Sequence, residues 1–87
     1  MNGMSNKTPI PDEIYLLCIL HNVGATSPER ALTFEEILRW TAMEPPKAEQ
    51  NLNKLVESRY VEVKEVLGAR KYFITVDGIR KVLSMYS

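Results

Sequence analysis

The hydrophobic period changes near Tyr60, and that switch dictates the order of elements. Before it, apolar residues recur at helical spacing; from Val61 to Ile74 they alternate; after Thr75 helical spacing returns. Punctuation divides the helical part. Ile10-Pro11 marks a boundary, because the residue before a proline is pushed out of the α region. Pro11 suits a first helical position, with Asp12 and Glu13 against the positive end of the dipole. This helix is expected to run to about Asn22 and stop at Gly24. After a loop through Ala25–Arg30, Thr33-Phe34-Glu35-Glu36 reads as a capping box. The helix it opens places Phe34, Ile37, Leu38 and Thr41 on one stripe. Met43-Glu44-Pro45-Pro46 interrupts, since prolines are tolerated only at a helix start. A third helix is expected from Pro45 to about Ser58, with Ala48, Leu52, Leu55 and Val56 inward. At about 100° per residue, Lys47, Gln50 and Lys54 lie near its opposite crest.

If Gly68-Ala69 forms a two-residue type II′ turn, the hairpin pairs Leu67 with Arg70, Glu65 with Tyr72, Val63 with Ile74 and Val61 with Val76 on its core face. Lys64 then pairs with Phe73, and Val66 with Lys71, on the other. Thr75 caps a last helix carrying Ile79, Val82, Leu83 and Tyr86. Residues 1–9 read as a flexible tail and residues 10–87 as one domain, mainly α with a small β-hairpin.

Composition narrows the function classes. Of the 87 residues, 45% are hydrophobic and 25% charged, the balance of a folded globular chain. Eleven Lys and Arg cancel eleven Asp and Glu, so no global field draws the molecule to a polyanion. The neutral total hides an asymmetry: residues 1–44 carry three cations against six anions, residues 45–87 eight against five. The second half is where an anionic partner is to be sought. One Cys and one His do not make a disulfide framework or a multi-ligand zinc site. Neither a phosphate loop, a nucleophile elbow nor a His-containing acid–base set is visible. Neither an enzyme nor a cofactor is therefore expected. The longest apolar run, Ile14 to Leu20, is too short for a bilayer, and Met1–Lys7 lacks a signal-peptide core. The expected setting is cytoplasmic.

Three stretches carry a family resemblance. Leu32-Thr33-Phe34-Glu35-Glu36-Ile37 resembles the opening of the first helix of a helix-turn-helix. The run from Met43 to Val61 resembles its turn and recognition helix, entering a first wing strand. Tyr72-Phe73-Ile74-Thr75-Val76-Asp77-Gly78 is similar to the Thr-x-x-Gly run that closes a wing and starts a last helix. In this order, across residues 10–87, they resemble the winged helix-turn-helix domain of small prokaryotic and archaeal MarR/ArsR-type transcriptional regulators. The resemblance implies double-stranded DNA as partner, with residues 45–58 in the major groove and residues 60–74 as wing. It implies Lys47 and Lys54 at guanine edges or phosphates, Gln50 or Asn51 against adenine, and Asn53 at a phosphate. Arg70, Lys71 and Lys64 then reach phosphates or the minor groove, and Arg39 the backbone. The chain departs from the family at Glu44, where Ser or Thr usually caps the recognition helix, and at Arg59, where Gly often ends it.

Ile14 through Leu20 cover nearly the whole circumference of the first helix, which suggests either a central helix or one face given to a second subunit. Leu16, Leu20 and Tyr15 are not all expected to face the same core as Leu17 and Cys18. This suggests a homodimer through the first and last helices, presenting two recognition helices about one DNA turn apart. Plainer roles exist for several residues. Lys47, Gln50 and Lys54 suit a solvated face, Arg39 a weak pair with Glu35, and Arg70 and Lys71 protection of a hairpin edge. Cys18 and Trp40 suit core packing, and His21 a helix C-terminus. The alternative function is a winged-helix module that binds protein through Val66 and Phe73.

Overall fold

In the computed structural model, which describes residues 10–85, the first helix α1 spans Asp12–Asn22. The proposed tail of residues 1–9 and Tyr86 lie outside the described residues. Pro11 stands just before α1 rather than inside it. Its carbonyl accepts the Ile14 and Tyr15 amides, each at 3.0 Å. At the other end Gly24 adopts φ +85, so that the Gly24 and Ala25 amides donate to the His21 and Leu20 carbonyls. This paired closure needs a left-handed residue, which glycine supplies without a Cβ penalty.

Leu16, Leu17 and Leu20 are all fully buried, in one cluster with Ala25, Ile37, Leu52, Leu55 and Val82. Cys18 packs against the same cluster, so of the five residues not all expected to face one core only Tyr15 lies outside it. α1 is the central helix, and neighbouring elements surround it on most of its circumference. Tyr15 stays exposed, and Cys18 is half-buried. Burying one leucine contributes about 1.5–3 kcal/mol, so these three residues alone outweigh any cap.

A single turn of 3₁₀ helix follows at Pro28–Arg30, then a two-residue strand β1 (Leu32–Thr33), neither anticipated from sequence. Helix α2 spans only Phe34–Leu38. Its capping box is as expected: the Thr33 hydroxyl accepts the Glu36 amide at 3.1 Å, and the Glu36 carboxylate accepts the Thr33 amide at 2.9 Å. Thr41 falls beyond the helix. Helix α3 spans Pro45–Glu57 and buries Ala48, Asn51, Leu52 and Leu55.

Arg59 closes α3 at φ +66. The Arg59 amide donates to Val56 O and the Tyr60 amide to Leu55 O, each at 3.0 Å. An arginine thus performs the left-handed turn that glycine usually makes, and the junction is fully hydrogen-bonded.

Strands β2 (Val61–Val66) and β3 (Ala69–Ile74) form the hairpin, and β1 joins the free side of β3 to give the antiparallel order β1-β3-β2. The observed pairs are Val61 with Ile74, Val63 with Tyr72, Lys64 with Lys71, and Val66 with Ala69. The turn is therefore Leu67-Gly68, not Gly68-Ala69. Leu67 at φ +51 and Gly68 at φ +83 supply the two left-handed positions of a type I′ turn, whose twist matches the strands. A shift of two residues changes every pair but leaves each side chain on its expected face.

Helix α4 spans Val76–Ser84. The Thr75 hydroxyl accepts the Gly78 amide at 3.0 Å and donates to Arg59 O at 2.7 Å, while the Thr75 amide donates to Tyr60 O at 3.0 Å. One threonine thus clasps the end of α3 to the start of α4. Val82 is buried and Ile79 half-buried, but Leu83 is exposed.

Candidate nucleic-acid interface

Helix α3 divides lengthwise. Ala48, Asn51, Leu52 and Leu55 are buried, whereas Lys47, Glu49, Gln50, Asn53, Lys54 and Glu57 are exposed. At about 100° per residue the exposed arc centres on Gln50, Asn53 and Glu57, with Lys47 and Lys54 on one flank and Glu49 on the other. A groove on the Glu49 side is lined by Glu35, Glu49, Ala69, Arg70 and Tyr72, placing α3 alongside the hairpin.

The structure corrects one candidate outright. Asn51 retains only 4% of its surface, and its amide nitrogen donates to Lys47 O at 2.9 Å. It braces the helix from within and is unavailable to read a base. Lys47 is exposed, but its ammonium pairs with Asp12 at 2.8 Å, across to the start of α1. Sequence reasoning missed this partner, because no local pattern links residues so far apart. Gln50, Asn53 and Lys54 extend into solvent.

The first amides of α3 offer little to an anion. Pro45 and Pro46 have no N–H, and the Glu44 side chain makes no capping hydrogen bond. The groups this helix offers to solvent are therefore the side chains on the arc rather than the amides of its terminus.

The hairpin spreads its cations over both faces. Lys64 and Lys71 stand directly opposite one another on the outer face, a pairing that repels unless anions are near. Two are. Glu36 is held below the ordinary carboxylate value of 4.5 first by the Thr33 amide, then by the Thr33 hydroxyl, with Lys71 and Arg39 adding their charge. Glu29 is lowered mainly by a backbone hydrogen bond, then by the Ser27 hydroxyl, with a smaller effect from Lys64. Arg70 lies on the other face, opposite Glu65, its guanidinium 5.8 Å from the Tyr72 ring centroid. The cations expected to act together on the wing are thus split: Arg70 borders the α3 groove, and Lys64 and Lys71 lie behind it.

Arg39 is exposed at the end of α2, bordering a shallow recess with Leu32, Glu36 and Trp40. Trp40 is 59% exposed, which corrects its assignment to the core. Val66 and Phe73 are half-buried rather than fully exposed, which reduces the apolar surface that suggested a protein partner. Among the described residues, no helix is long and apolar enough to cross a membrane.

Neither a protein-family model nor a curated protein matches the chain. Solved structures do. A DNA-binding TubR fragment from Clostridium botulinum superposes with a TM-score of 0.76 at 20% identity, over 91% of this chain and 99% of that one. TubR from Bacillus megaterium pBM400 gives 0.78 at 18% identity, over 95% and 90%. BpsR of Bordetella bronchiseptica, whose DNA binding is regulated by 6-hydroxynicotinic acid, gives 0.74 at 18%, over 87% of this chain and about half (52%) of that one. At these identities it is the fold that is shared, and this chain has the architecture of a winged helix-turn-helix.

Proposed function

We propose that the chain is a sequence-specific, DNA-binding transcriptional regulator acting in the cytoplasm. In this reading α3 enters the major groove of double-stranded DNA and the β2–β3 hairpin serves as the wing. One observation carries it: a helix with a continuous buried side turns two amides and two amines, Gln50, Asn53, Lys47 and Lys54, away from the core. The similarity to a DNA-binding TubR fragment and to BpsR supports the same reading. In this reading Gln50 pairs with adenine and Lys54 with a guanine edge or phosphate. Asn53 and Arg39 are assigned to the backbone, as are the wing cations Lys64, Arg70 and Lys71.

The reading includes a homodimer. Its support lies on α1 and α4, which pack together and leave Tyr15, Leu83 and Met85 exposed. A twofold axis through this surface presents two copies of α3 to one duplex.

The test is selection of bound sites from a random duplex pool, followed by titration of the recovered duplex at several salt concentrations. A recovered motif, affinity that falls as salt rises, and loss of binding in Lys54→Glu are the expected results. Absence of binding even at low salt overturns the proposal.

A further inference from the structure

The wing tip holds a side chain that the fold does not use. Leu67 is fully exposed, at 102% of its reference surface, and adopts φ +51. Asparagine or glycine takes this position of a type I′ turn readily, whereas a leucine there is both strained and unpacked. Single exposed leucines are common; one placed in the left-handed region at the end of a projecting hairpin is not explained by packing.

Its surroundings specify an occupant. Lys64 and Lys71 lie behind the tip on one face of the hairpin and Arg70 on the other. Ala69 and Arg70, immediately after the turn, border the groove shared with Glu49 of α3. The tip is therefore an apolar point with two lysines behind it on one face and Arg70, opposite Glu65, on the other, beside the recognition helix. Cations flanking a groove suit phosphates on its two walls, and the residue between them meets its floor.

We infer that Leu67 contacts the minor groove and gives the wing a preference for A·T over G·C base pairs; this rests on the DNA reading above. The minor groove, about 6 Å wide, displays only acceptors at A·T pairs, whereas guanine adds a protruding amino donor. An isobutyl group has no acceptor to offer that donor. Against G·C it strips water from the amino group and leaves it unpaired; against A·T it displaces water over a smoother floor.

The experiment uses the full chain and the best duplex recovered from the random pool, with its flanking pairs set to A·T, G·C or inosine·C. Inosine lacks the guanine amino group, so inosine·C presents an A·T-like minor groove. The wild type is expected to bind A·T and inosine·C flanks alike and G·C flanks roughly four- to tenfold more weakly, about half the energy of fully burying a leucine. Leu67→Asn should lose that preference with an unchanged salt slope while melting at a higher temperature, because the turn is relieved. Leu67→Met should retain the preference. Equal wild-type affinity for all three duplexes, or a preference that survives Leu67→Asn, overturns this inference alone. Failure of the wild type to bind any duplex overturns the regulator reading, and the inference with it.

Discussion

Gly78→Ala is expected to damage the fold more than its size implies. A Cβ built at Gly78 falls 2.2 Å from the Tyr60 carbonyl oxygen and 2.6 Å from Cγ2 of Ile74. Ordinary contact requires about 3.4 Å, so backbone and core must each yield by roughly 1 Å. Neither moves freely. Tyr60 O accepts the Thr75 amide at 3.0 Å, and Ile74 is almost fully buried. Overpacking of this kind costs about 1–3 kcal/mol, and disturbing the Thr75 cap about 1 kcal/mol more. The better helix propensity of alanine returns about 1 kcal/mol. The net expectation is a loss of roughly 1–3 kcal/mol, which for a domain of this length lowers Tm by about 4–24 °C. Thermal melts followed by circular dichroism measure this, with Arg80→Ala, exposed on the same helix, as a control expected within about 0.5 kcal/mol of wild type. A Gly78→Ala protein as stable as the wild type would refute the close approach of α4 to the end of α3.

Two further outcomes follow from local geometry. Arg59→Gly relieves a left-handed arginine while keeping the backbone hydrogen bonds of the α3 closure, so its urea midpoint should rise by the equivalent of about 1 kcal/mol at constant m. Glu36 is an acid whose folded pKa is depressed, so its contribution to stability is present above pH 4.5 and is lost as pH falls through the lower folded value. Glu36→Gln keeps the box's hydrogen-bonding capacity but does not titrate. Its stability should therefore fall less between pH 5 and pH 3, as read from urea midpoints across that range.

What was legible in the sequence was local. Thr33 and Thr75 each announce a helix start through a hydroxyl three residues before the amide it accepts, and both caps stand where the pattern placed them. The side of α3 that faces the core was legible from spacing, because period alone decides it. Pairings between distant segments were not. The hairpin register depended on whether Gly68 came first or second in the turn, and it comes second, with Leu67 at φ +51 before it. Strand β1, two residues long, has too little sequence to carry an alternation. Asn51 looked available because it is polar, yet it lies at the edge of the buried side, between Lys47 and Leu55 around the helix, where Lys47 O satisfies its amide. The apolar circumference of α1 left open whether the helix is central or gives one face to a second copy, because spacing does not say which segments pack around it; it packs against α3, α4 and β3.

A net-neutral chain can bind a polyanion if its cations are placed well, but the neighbours of those cations set how binding responds to salt. Lys47, Lys54, Lys64, Arg70, Lys71 and Arg39 are the candidate contacts, and six phosphates neutralised independently would give a slope of log affinity on log salt near −5 per protomer. Several of these cations already have anions beside them. Lys47 pairs with Asp12, Lys64 lowers the pKa of Glu29, and Lys71 and Arg39 lower that of Glu36. A cation that exchanges a carboxylate for a phosphate releases fewer counterions than one leaving bulk solution. Lys54 and Arg70 remain as the freest contributors, so the slope per protomer should fall nearer −2 to −3. A measured slope near −5 would refute this reasoning, because it would show that these carboxylates do not hold the cations in the free protein, the Asp12–Lys47 pair included.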